Sequence, residues 1–211
     1  MNRADFVLLL SLLASGCATD RTPESGFSIG DQLHAANIQA VLAHPPVDAI
    51  FSCSEHFEGQ FQHVGDALGT DCVPQRLVEE DGRMWSRAYS GQGHSNEDWY
   101  GWHMELLSPC SCEVVGIHHN DVQNDSGVMG KGRSASITLR DENGVHFVLA
   151  HVRDIAVEEG QQVIAGDPVA KFGNNGYSRS PHVHVGAWKG EQPLQIRWDQ
   201  SRMQLPPEFR D

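Results

Sequence analysis

The chain has 211 residues, 28 acidic against 15 basic side chains and a formal net charge of −13. That balance argues against nucleic acid and anionic polymers as partners, while 39% hydrophobic residues exclude a disordered or fibrous chain. The length suits one domain of ordinary size with appendages.

The N-terminus reads as a targeting segment over residues 1–16. Behind Arg3, the apolar run Phe6 to Leu13 is too short to span a bilayer stably and fits a signal-peptide core. Its end, Leu12-Leu13-Ala14-Ser15-Gly16-Cys17, resembles a bacterial lipobox, with Ala14 where leucine is usual. The resemblance implies lipidation of Cys17; plain cleavage after Gly16 is the alternative. Lipidating Cys17 leaves Cys53, Cys72, Cys110 and Cys112, an even set of disulfide candidates with three pairings open. A thiolate site built from Cys110, Cys112, His118 and His119 is the rival use of two of them. The expectation is an exported outer-membrane lipoprotein on the periplasmic face, touching membrane only through its lipid.

Residues 17–46 read as a lipidated tether, with one short helix over residues 33–44 ended by Pro45-Pro46. Residues 47–83 read as a disulfide-stapled accessory strand region that carries no legible chemistry. From residue 84 to 200 the pattern is strongly β, and residues 201–211 form a tail. Ser134 to Arg140 and Val145 to His151 flank Asp141-Glu142-Asn143-Gly144, and Asn-Gly between β-prone runs is a hairpin signal. Short strands separated by glycine turns follow through residues 157–170, and His182 to Trp188 alternates again.

Three histidine placements stand out among the twelve. His94 and Asp98, four apart, are of ligand type and could share an ion from one helical turn or a curled loop. In a strand, His182 and His184 face one side and Val183 the other. His151 closes the strand that begins at Val145.

Taken in order, His94-x-x-x-Asp98, Ala150-His151 and His182-x-His184 resemble the lysostaphin/LytM metallopeptidase pattern. Gly160-Gln161-Gln162-Val163, Gly166-Asp167-Pro168-Val169 and Gly173-Asn174-Asn175-Gly176 extend the likeness over about residues 88–190. Arg179-Ser180 stand where the family has Thr-Gly or Thr-Ala, and Asn96 where it often has glycine. The resemblance implies an all-β fold of two packed antiparallel sheets of short strands, of the barrel-sandwich type. It implies Zn2+ held by His94, Asp98 and His184 with a fourth position for water, and His151 and His182 as unligated catalytic partners. Glu97 and His103 are nearby rival ligands. The implied activity is hydrolysis of peptidoglycan peptide bonds; the alternative is a non-catalytic wall-binding relative that activates another hydrolase. A lysine-bearing carrier domain built on residues 160–172 is disfavoured, because Lys171 and Lys131 lack the flanking methionines.

Overall fold

The computed structural model describes residues 38–203. The expected signal peptide, Cys17 and the expected tether through residue 37 lie outside the described residues, as does the tail beyond residue 203. The described residues belong to one compact unit. The strands, in chain order, are β1 (Ala40–Ala43), β2 (Ile50–Glu55), β3 (Thr70–Glu80), β4 (Arg83–Arg87), β5 (Glu105–Leu107), β6 (Cys112–His118) and β7 (Ser136–Arg140). They continue with β8 (Val145–Ala150), β9 (Val152–Arg153), β10 (Gln162–Val163), β11 (Pro168–Phe172), β12 (Val183–Lys189) and β13 (Gln192–Trp198). Among the described residues the helical elements are two short 3-10 turns, Asn96–Asp98 and Gln200–Arg202. The fold is all-β, as the strand pattern predicts.

The large sheet runs β1-β13-β12-β8-β7-β6-β10, and a small sheet runs β5-β11-β9. The hairpin expected around Asn143-Gly144 joins β7 to β8. The Asp141 carboxylate accepts from the backbone N–H of Asn143 and Val145, and Gly144 takes φ +77°. Alternation then sorts β8: Val145, Phe147 and Leu149 enter the core, while His146 and Val148 are only half-buried. Ile137, Leu139, Val183 and Val185 meet them there, all without solvent exposure.

The helix expected over residues 33–44 is not formed where that segment is described. Ala40 to Ala43 is a strand paired in parallel with Gln195 to Trp198. A short segment cannot offset the nucleation cost of a helix, and pairing with β13 satisfies its backbone instead. Ala43 is buried while Leu42 faces solvent.

Residues 47–83, expected to be accessory, supply a strand to the middle of the large sheet. One edge of β12 is taken by β8. The other edge is divided: β3 pairs with its first half and β13 with its second. β2 then pairs with β3, placing Cys53 opposite Cys72, and the two form a disulfide. Cys110 and Cys112 form the other. With both sulfurs in a disulfide, the thiolate site considered with His118 and His119 is not available.

Two fully buried asparagines brace the turn that precedes β12. Asn175 donates from Nδ2 to Val152 O (2.7 Å) and accepts at Oδ1 from Ala135 N (2.7 Å). Removing it leaves a buried donor and a buried acceptor unpaired. Asn175→Ala is expected to lower unfolding free energy by about 2–3 kcal/mol in a denaturant titration, against under about 0.5 kcal/mol for an exposed control such as Asn143→Ala.

Candidate metal centre

The site is built by strand register. His184 on β12 lies directly opposite Asp71 on β3 and opposite Ala150 on β8. His182 precedes β12 by one residue and shares the face of His184, while Val183 and Val185 point into the core. The period-two expectation therefore holds. His151 follows Ala150 with φ +63°, a left-handed conformation that is uncommon outside glycine. His151, His182 and His184 line one open cleft of about 830 Å³.

The segment between Cys53 and Cys72 folds over the first half of β12 and brings His56 and Asp66 into the cleft. Two glycines permit the approach. A Cβ on Gly186 would sit 1.6 Å from the Gly65 carbonyl oxygen, and one on Gly69 would sit 2.5 Å from the His184 ring. Any side chain at either position would push the loop off the strand.

His56, Asp71 and His184 each offer one donor atom, and these atoms all lie within 4.8 Å of one another. Asp71 stands between the imidazoles: Oδ1 is 3.0 Å from His184 Nδ1, and Oδ2 is 3.5 Å from His56 Nε2. On the far side of the His184 ring, Nε2 lies 3.2 Å from both the Gly65 carbonyl and Asp66 Oδ1. Burial alone would push the His184 pKa down. Its hydrogen bonds to Asp66 and Asp71 outweigh that and raise it to about 9. Burial likewise works against ionised Asp71, but the hydrogen bond from His184 and the neighbouring imidazoles hold its pKa down at about 2.

His151 and His182 are set differently. Nδ1 of His151 donates to Asn175 O and Nδ1 of His182 to Ser180 O, each at 2.8 Å. A carbonyl oxygen only accepts, so Nδ1 carries the proton in both rings and Nε2 presents a lone pair. Burial keeps both neutral, lowering His182 and bringing His151 to about 4. Their ring centroids are 4.6 Å apart, and His182 Nε2 is 3.9 Å from Asp71 Oδ1.

Of the residues singled out in the sequence, His151, His182 and His184 converge here. His94 and Asp98 do not join the cluster. His94 is exposed, and the Asp98 carboxylate turns back to accept from Ser95 N (3.1 Å), capping the turn Asn96–Asp98. Glu97 and His103 are exposed and also lie outside the cluster. The segment buttresses instead: Asn96 Oδ1 accepts from Asn174 Nδ2 (2.9 Å), and Asn174 Oδ1 accepts from Ser178 Oγ beneath His182. His56, Asp66 and Asp71 escape a motif reading because His56 and Asp71 are fifteen residues apart. The available signal is four histidine and aspartate side chains inside a loop that two candidate disulfide cysteines would close.

Two imidazoles and a carboxylate converge beside two neutral imidazoles in an open cleft, a donor set that could hold a divalent ion. The donor chemistry fits Zn2+, which takes mixed nitrogen and oxygen triads and keeps a position for substrate or water. Residues 107–196 match the model of Peptidase family M23. The match contains His151, His182 and His184 and begins downstream of His56 and Asp71.

Solved structures similar to this chain include the catalytic domain of the antimicrobial peptidase lysostaphin from Staphylococcus simulans. Identity there is 14%, with 69% of this chain and 88% of that chain covered and a TM-score of 0.40. A zinc-containing peptidase from Vibrio cholerae is 15% identical, with 71% of this chain and 37% of that chain covered and a TM-score of 0.41. The SpoIIIAH and SpoIIQ complex contributes a chain 17% identical, with 72% and 96% covered and a TM-score of 0.46.

His56→Ala, Asp71→Ala and His184→Ala are each expected to reduce bound zinc at least about tenfold, whereas His94→Ala and Asp98→Ala retain it. Atomic absorption on dialysed protein reads this directly. Because metal-free His184 holds its proton up to about pH 9, zinc affinity should rise by about tenfold per pH unit from pH 7 towards 9. A flat calorimetric profile over that range contradicts the pairing of His184 with the two aspartates.

Proposed function

We propose that the protein is a zinc-dependent endopeptidase that hydrolyses peptide bonds in bacterial cell-wall peptidoglycan. The observation that carries this reading is the His56–Asp71–His184 triad facing two imidazoles whose Nε2 atoms are free. The match of residues 107–196 to the model of Peptidase family M23 supports it.

A divalent ion held by these residues would polarise the scissile carbonyl and acidify a water. The chain's own groups do the rest. Gly65 O and Asp66 orient the His184 ring from behind, so that Nδ1 faces the site. His182 is the proton acceptor: its Nε2 is free, and Asp71 beside it favours its protonated form. His151, with its pKa near 4, is a weak base but a fixed acceptor that orients the attacking water. Once protonated, His182 becomes a donor to the departing amine. The open cleft accommodates a peptide still attached to a polymer.

Digesting purified wall fragments, with mass analysis of the products, tests the activity. Cleavage is expected without chelator and not with it. His151→Ala and His182→Ala are expected to lose roughly 10²–10⁴-fold in rate while keeping zinc. Unchanged hydrolysis by either variant removes the assigned roles.

The same reading locates the protein on the periplasmic face of the envelope, exported by residues 1–16 and anchored through lipid on Cys17. Two disulfides in the described domain suit an oxidising compartment. Labelled fatty acid should enter the wild type and not Cys17→Ser; equal labelling contradicts the anchor.

A further inference from the structure

Two arginines line the cleft of a protein whose formal net charge is −13. Arg133 and Arg179 both line the cleft and both are exposed. Arg87, Arg140, Arg153 and Arg202 each have a carboxylate within 4.0 Å. Arg133 and Arg179, like Arg76, Arg83 and Arg197 elsewhere, have none among the described residues. The acids inside the cleft are already engaged: Asp66 with His184, and Asp71 with His184 and His56. Two exposed arginines therefore line the cleft without a carboxylate partner.

They also stand on a braced support. Arg179 lies in the turn before β12 and Arg133 in the segment before β7, and the two stretches are stitched together. Gly127 N donates to Arg179 O (2.9 Å), and Gly130 N donates to Ser178 O (2.8 Å). Asn124 Nδ2 donates to the carbonyls of Gly176 and Ser178. Gly176 packs so closely on Ser134 that a Cβ there would come within 2.5 Å of its backbone. A cation on fixed backbone loses less entropy on pairing than one on a loose loop. A guanidinium offers a planar fork of donors matched to a carboxylate.

We propose that Arg133 and Arg179 form a carboxylate-recognition rim, by which the cleft selects peptides bearing a free carboxylate close to the scissile bond. This rests on the peptidase reading of the same site. It narrows the substrate from peptides in general to anionic ones. The arginines set specificity and touch no reacting atom.

The test compares two synthetic peptides that differ only in a side-chain carboxylate or its amide. Wild-type zinc protein is expected to favour the carboxylate peptide about tenfold in kcat/KM, with the difference mostly in KM. In the Arg133→Gln/Arg179→Gln variant the preference should fall to within about twofold, chiefly because the carboxylate peptide is cut less well. Zinc content equal to wild type, with an unchanged circular dichroism spectrum, distinguishes this from misfolding. A wild type without preference, or a variant that keeps the preference, overturns the proposal. If neither peptide is cut, the peptidase reading fails instead. Calorimetric binding of the same two peptides then decides the rim: tighter binding of the carboxylate form, lost in the variant, supports it, and equal binding sinks it.

Discussion

Everything at the site depends on one strand edge being shared. β12 offers its first half to β3 and its second half to β13, so His184 is held between Asp71 on one neighbour and Ala150 on the other. Backbone hydrogen bonds fix that alignment, and a slip of one residue would send His184 into the core and Val183 or Val185 into the cleft. Asp71 and His184 are thus placed by the ladder.

The price of this arrangement is a loop that must lie flat on the sheet. Gly65, Gly69 and Gly186 remove the side chains that would hold it away, and the Cys53–Cys72 disulfide ties its two ends across β2 and β3. A covalent tie limits the loop's freedom before the site is formed, which favours the assembled donor set. His56 enters at one end of the tied segment and Asp71 lies next to Cys72 at the other. The opposite wall is secured without covalent help. Asn96, Asn174, Ser178 and the carbonyl of Ser180 form a polar chain that ends at His182, and Asn175 performs the same service for His151.

Two kinds of histidine result within one cleft. His184 has carboxylates against both ring nitrogens and is drawn towards the charged form when no metal is bound. His151 and His182 rest on backbone carbonyls, are desolvated and stay neutral. The difference lies in the partner rather than in the residue type. A carboxylate stabilises the imidazolium strongly, whereas a carbonyl mainly selects which nitrogen carries the proton.

By itself the sequence determined the β class, the Asn143-Gly144 hairpin, and the side-by-side placement of His182 and His184, because turn chemistry and period-two alternation act over a few neighbouring residues. It also marked His151 and His184 through the dipeptide and strand that surround them. It could not supply the remaining donors. His94 and Asp98 have the right chemistry and spacing, yet Asp98 caps its own turn and His94 faces solvent. Only tertiary structure brought in Asp71, across a strand pair 113 residues apart in the chain, and His56, through a loop closed by a disulfide. Long-range register and loop closure depend on the whole sheet having formed, and no local pattern encodes them.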